Sequence, residues 1–310
     1  MNKRPLIIVN LFIVYFVWGS TFLAIRFAVE TISPFMLGTF RFLSAGIILF
    51  VFLRLKGCEE IKPVYWRSAF IIGAMLLFIG GGSVFWAEQY VPSGLTALIV
   101  SSSPLLMVLT DWFRPGGKYP THPVLMAIIT GLAGVFFLFA GDVLPEKNTY
   151  AYIGMGILMA STISWSVGSI YARSAPLPKS SLLTSAMEMI CAGILFLIVS
   201  IFIGDLFSSF EGISLRSGLS ILYLATFGSI IAYNAYIWLL HKTTPALAST
   251  HSYVNPAVAL FLGWYIASES VTMHTLIGSG IIIICVVVIT LYSPHFREEH
   301  VDDLTRSKAV

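Results

Sequence analysis

Ten apolar runs, each long enough to cross a membrane as a helix, constrain this chain more than any other feature. A hydrocarbon core of about 30 Å takes around 20 helical residues. The runs extend roughly from Leu6 to Val29, Phe35 to Leu53, Val64 to Trp86, Ser93 to Phe113, Pro123 to Ala140, Tyr152 to Ala172, Ser181 to Gly204, Leu215 to Leu240, Ala246 to Ala267 and His274 to Tyr292. Only 11% of the 310 residues are charged, against about a quarter in an average soluble domain. The expected fold class is therefore an all-α polytopic membrane protein with ten transmembrane helices. No connection between runs has room for a soluble domain, so any chemistry belongs within the membrane or at its surfaces.

The basic start at Lys3 and Arg4 precedes a long apolar stretch without a small-x-small cleavage pattern, which reads as an uncleaved first helix. Three scattered cysteines, Cys58, Cys191 and Cys285, suggest neither a disulfide framework nor a metal site. The net charge of +3 arises mostly from short connections and is poor evidence for nucleic-acid binding. With a cytoplasmic N-terminus, 14 of the 18 Lys and Arg fall on the inner side, and only Lys147 and Arg216 face outward. The positive-inside rule then places both termini in the cytoplasm.

A duplication lies inside this pattern. Trp18 returns 147 residues later as Trp165, Arg26 as Arg173, and Ala45-Gly46-Ile47 as Ala192-Gly193-Ile194. At an offset of 152, Trp86 matches Trp238, Leu95 matches Leu247, Pro104 matches Pro256, and Trp112 matches Trp264. Five crossings is an odd number, so the second copy enters the membrane upside down. The expected units are residues 1–141 and 150–292, two inverted five-helix repeats joined near Gly141 to Tyr150, with a charged cytoplasmic tail at 293–310. Such inverted repeats place a binding site near the midplane, where the halves rock against each other.

Within the repeat one position changes sign: Arg41 falls on Glu188. Ionisable residues at membrane depth cost about 2.5 to 3.5 kcal/mol on insertion scales and need a reason. Arg41 enters from the outer side and Glu188 from the inner. Their heights differ by roughly 10 Å, which makes them candidate gates around one site rather than an ion pair. Snorkelling to headgroups is the plainer reading of Arg41. For Glu188 it is pairing with a helix dipole or a hydroxyl, and the sharper one is proton uptake and release during the cycle. Arg26 has Glu30 one turn on, so an i,i+4 ion pair accounts for it, with an outer gate as the alternative.

Pro104 and Pro256 are expected helix breaks beside polar clusters. Ser101, Ser102 and Ser103 flank one, and His251, Ser252, Tyr253 and Asn255 the other. His251 and Asn255 share a helix face, where a hydrogen bond between helices competes with solute contact. Trp18 and Trp165, deep in their helices, are candidates to line a cavity or simply to pack. Trp66, Trp86, Trp112, Trp238 and Trp264 read as interfacial anchors. Glycine clusters at 80–82, 131 and 134, and 278 and 280 read as close helix packing. Glu88, Asp111 and Glu269, at helix ends, read as solvated structural acids. No Walker motif, zinc signature or paired-aspartate cluster is present in the sequence, so no cofactor, metal or ATP hydrolysis is expected.

Trp18-Gly19-Ser20-Thr21 with Arg26, then Arg41-Phe42, Phe227-Gly228-Ser229, Asn234-Ala235-Tyr236, Pro245-Ala246-Leu247-Ala248 and Tyr253-Val254-Asn255-Pro256, together resemble the EamA family of the drug/metabolite transporter superfamily. The likeness covers about residues 7 to 292. It implies two inverted five-helix repeats that export small metabolites or amino acids from the bacterial cytoplasm. It also implies a central cavity lined by helices 1, 3, 4, 6, 8 and 9, including Trp18, Trp165, Asn234 and the stretch His251 to Asn255. Two departures from the family pattern are Ser268 where Gly is usual and Ser166 where Ala is usual; the second is expected to alter cavity polarity.

The expectation is a secondary transporter of the bacterial inner membrane and not an enzyme. Its partners would be a small-molecule solute, the lipid bilayer and, as candidate coupling ion, a proton, with no nucleic acid. A carrier of lipid-like or nucleotide-sugar cargo is the alternative, although phosphates want several cavity cations and helix interiors offer only Arg26 and Arg41. An intramembrane enzyme would need a catalytic cluster that the sequence does not display.

Overall fold

The computed structural model describes residues 4–113, 119–140, 148–205, 212–243 and 250–292. The 141–147 part of the connection between halves, the tail, and the side chains of Asp111 and Tyr253 lie outside the described residues. The helices are α1 (Pro5–Ala28), α2 (Pro34–Leu55), α3 (Pro63–Ala87), α4 (Ser93–Val100), α5 (Ser103–Phe113), α6 (His122–Ala140), α7 (Thr149–Ser174), α8 (Ser181–Ile203), α9 (Leu215–Leu240), α10 (His251–Ala267) and α11 (Met273–Tyr292). Seven spans, with α4 and α5 counted together over Ser93–Thr110, are long and apolar enough to cross a membrane, and three shorter apolar helices accompany them. No strand occurs among the described residues.

Serines set several helix starts by accepting the orphan N–H groups of the first turn. Ser33 accepts from the Met36 amide at 3.3 Å and Ser180 from the Leu183 amide at 3.4 Å, at matching positions of the repeat. Pro34 and Pro63 occupy first-turn positions, where a missing N–H costs nothing. At its other end α8 closes on Gly204, whose φ of 82° suits glycine.

Four stretches adopt π-helical turns: Val14–Trp18 in α1, Thr39–Leu43 in α2, Gly73–Gly81 in α3 and Leu224–Tyr233 in α9. A π-turn inserts one residue per turn, keeps the backbone bonded within the helix and swings the following side chains round by about 100°. In contrast, α7 and α8 are α-helical throughout.

The surface is inside-out relative to a soluble protein. Leu55, Phe202 and Leu215 are 80% or more exposed, while Arg41, Glu88, Glu188 and many Ser and Thr are buried. Lipid is as apolar as leucine, so the interior is selected by close packing and polar bonds instead. The meeting of α2 and α8 is reciprocal: a Cβ on Gly46 would sit 2.8 Å from the Ile190 amide nitrogen, and one on Gly193 would sit 2.7 Å from that of Leu43. Each glycine and its neighbour are related by the same 147-residue offset. At the edge of the bundle, α6 and α11 approach through Gly134 on Ile281 and Gly278 on Leu138, whereas Gly280 faces open space.

The two prolines differ. The chain is interrupted at Ser101 and Ser102, between α4 and α5, just ahead of Pro104. Pro256, expected as a break, lies inside an unbroken α10. Its ring removes one helix bond, but neighbouring groups hold the turn. With its amide turned to donate, Asn255 reaches the carbonyls of His251 at 3.2 Å and Tyr15 at 3.0 Å.

Candidate functional site

The four π-turns converge on one central cavity, open on one side to its surroundings. Trp18, Arg41, Phe42, Leu76, Leu77, Gly80, Gly81, Gly228, Ser229 and Tyr233 all reach its wall from π-turns, and Trp165 from α7 and His251, Ser252 and Asn255 from α10 are among the other residues that line it. The sequence carries no local signature for these turns, and that convergence was not legible in it.

Arg41 is 7% exposed, so it does not snorkel to headgroups. Its Nε donates to Ser229 Oγ at 3.0 Å, and the guanidinium lies over the rings of Phe42 and Phe85 at 5.0 and 5.6 Å from their centroids. Gly228 packs closely here: a Cβ would stand 3.1 Å from an Arg41 terminal nitrogen and 3.1 Å from Thr21 Cγ2, which would have to give by a few tenths of an ångström. The Gly228 carbonyl accepts from Trp18 Nε1 at 3.2 Å. One turn of α9 thus fixes both the cation and the indole.

Trp18 and Trp165 meet edge to face at 5.9 Å. His251 and Tyr236 join them, with His251 perpendicular to Trp18 at 5.3 Å and Tyr236 at 4.9 Å from the same ring. The cavity therefore has an aromatic wall and a single guanidinium. Hydroxyls and an amide from Ser101, Ser103, Thr162, Ser229, Ser252 and Asn255 are interspersed, and no carboxylate lines it among the described residues.

Glu188 stands one side chain behind this wall. It is fully buried, and its Oε2 accepts from the Tyr233 hydroxyl at 2.6 Å while Oε1 has no partner. Tyr233 itself lines the cavity. Sequence reasoning passed over Tyr233 because a tyrosine in an apolar run reads as core.

Several expected residues are placed elsewhere. Ser102 is buried and returns its hydroxyl to the Ile99 carbonyl at 2.7 Å; Ser101 and Ser103 face the cavity instead. Asn234 is buried away from the cavity, accepting from Ser185 and donating to the Ile230 carbonyl. Ser166 does not line the cavity; its hydroxyl stitches α7 to the start of α5, 2.7 Å from the Thr162 carbonyl and 3.2 Å from that of Ser103.

At one end of the bundle the expected ion pair gives way to other contacts. Arg26 donates to the main-chain carbonyl of Glu88, and Glu30 faces Arg216 at 3.6 Å. Glu88, expected to be solvated, is fully buried. Glu269 caps α4, its Oε1 accepting from the Ser93 amide at 2.9 Å and hydroxyl at 2.8 Å, and Oε2 from the Gly94 amide at 3.2 Å. The preceding Ser268 has φ 55°, the left-handed conformation that favours glycine.

The EamA-like transporter family profile matches residues 5–140 and again 152–291. The chain is 38% identical over 284 residues to the uncharacterized inner membrane transporter YedA of Escherichia coli strain K12, covering 91% of this chain and 89% of that protein. It is 26% identical over 301 residues to Protein PecM of Dickeya dadantii, covering 95% of each. A solved crystal structure shares the fold at a TM-score of 0.62 and 20% identity, over 94% of this chain and 98% of the other. A membrane-embedded helical bundle whose two halves each match the same profile leads to one conclusion: this chain belongs to the EamA-like transporter family.

Proposed function

We propose that this chain is a secondary transporter of the bacterial inner membrane. It exports small metabolites, amino acids or amphipathic compounds, by alternating access around the central cavity. The observation that carries this reading is the cavity itself: a partly aromatic chamber at the meeting of the helices, with one anchored guanidinium. An anionic or zwitterionic solute with an apolar body fits such a wall, its carboxylate toward Arg41 and its body against Trp18 and Trp165. Phosphorylated cargo fits less well, since Arg41 is the one cation lining the cavity among the described residues.

Ten crossings in two inverted five-helix repeats, residues 1–141 and 150–292, with both termini cytoplasmic, belong to the same proposal. The reciprocal approach of Gly46 and Gly193, and the contact between Trp18 and Trp165, support a two-fold relation between the halves. In this arrangement Glu188, reached through Tyr233, takes a proton from one side and releases it to the other as the halves rock.

Purified protein in liposomes tests this reading. Protein-dependent flux of at least one solute from a panel of amino acids, sugars and organic cations is expected, and the solute recovered is chemically unaltered. No flux in either direction, with or without a pH gradient, sinks it; an altered product would point to an enzyme.

A further inference from the structure

The corner where α1, α3, α4 and the segment after α10 meet holds a carboxyl that the cavity does not use. Glu88, one residue past the end of α3, is 0% exposed, and neither of its carboxyl oxygens has a hydrogen-bond partner. A buried polar atom without a partner is destabilising, and more so when charged, so each such group needs a reason. Arg26 reaches the same corner from α1 but gives its side-chain hydrogen bond to the Glu88 main-chain carbonyl rather than to the carboxyl.

The charges acting on Glu88 come from several elements. Glu269 raises its proton affinity, while Arg26 and, from α2, Arg41 lower it. Helix α7 packs on the same end through Gly154 and brings Tyr150, stacked on Tyr90 at 5.3 Å. Burial first, and then the Glu269 carboxylate, push the Glu88 carboxyl well above the ordinary carboxylate range. Glu269 is fixed by its three hydrogen bonds to Ser93 and Gly94, so it holds its place beside Glu88.

We propose that Glu88 is a proton-binding site separate from the cavity, neutral while this corner is closed and ionised when the corner opens to water. On opening, the proton passes from the carboxyl to water and Arg26 turns from the carbonyl to the new carboxylate. The purpose of the device, sensing or driving the opening of the end that the topology assigns to the outside, rests on the transporter reading. Proton binding itself does not.

The test uses the full chain in lipid nanodiscs without any solute, so it stands or falls independently of transport. A carboxyl that holds its proton more tightly folded than unfolded gives stability that is full at low pH and lost as pH rises through its folded-state value. Wild-type melting temperature is therefore expected to fall as pH rises above the ordinary carboxylate range, and Glu88→Gln to lose most of that fall. Parallel pH profiles for the two proteins would overturn the proposal. If Glu88→Gln does not fold, Glu88→Asp keeps a carboxyl in the corner. A protonated-carboxyl infrared band at neutral pH, shifted in Glu88→Asp, supports the assignment; an identical band in the two proteins overturns it.

Discussion

Helices α1 and α2 and their counterparts α7 and α8 carry the same frame of residues and each pair brings a tryptophan to the cavity, yet the charged position of the second helix stands in a different relation to it. Both second helices start on an N-cap serine, Ser33 or Ser180, and both pack through one glycine, Gly46 or Gly193, onto the other. The first pair is widened by π-turns at Trp18 and at Arg41; the second passes Trp165 and Glu188 as regular α-helix. Arg41 enters the cavity, whereas Glu188 stays behind Tyr233. The shared frame supplies the scaffold, and on it one charged group lines the cavity while the other is held behind a tyrosine.

The shared part of the frame should fail symmetrically and most severely. Gly46→Val and Gly193→Val each force a side chain onto backbone under 3 Å away. Each is expected to lower stability by about 1–3 kcal/mol or more, to a similar extent, in detergent melting curves. Gly156→Val, with nothing within 4 Å, serves as the control and should be close to neutral in packing. Unequal losses from the two core glycines would break the two-fold relation.

The divergent part should fail unequally. Arg41→Ala removes a charge-assisted partner from the cavity, worth about 1.5–3 kcal/mol, so transport of anionic or zwitterionic cargo should drop about 10- to 100-fold in liposome flux. Cationic cargo should lose less, and equal losses would assign Arg41 to packing. Ser229→Ala keeps the charge but frees its Nε, and a smaller drop of roughly 2- to 10-fold is expected for the same anionic cargo. The mildest change, Tyr233→Phe, leaves the cavity its ring while taking the hydroxyl from Glu188. Flux driven by a pH gradient should fall about 2- to 10-fold, with solute exchange at equal pH nearly intact.

How much of this was legible in the sequence follows from what each signal measures. Apolar runs report lipid-facing length, so the helices could be marked within a few residues, Ser93 to Phe113 being divided at Ser101 and Ser102. The duplicated register singled out Trp18, Trp165, Arg41 and Glu188, because a residue that breaks an apolar stretch stands out. Helix type at a given turn left no trace, since π-turns arise from packing in the bundle rather than from local preference. Glu88 misled for a related reason: its place at a helix end predicts solvent, but α4 and the chain after α10 fold over it. Ser268 shows the opposite case, since its φ of 55° accounts for the glycine usual at that position in the family it resembles.

Division of labour between Arg41 and Glu188 can be measured in one preparation, by comparing wild type and Glu188→Gln in liposomes for exchange at equal pH and for accumulation against a pH gradient. The account predicts that Glu188→Gln stays folded and exchanges solute at near wild-type rate but no longer accumulates it when a gradient is applied. Accumulation equal to wild type in that variant would contradict it.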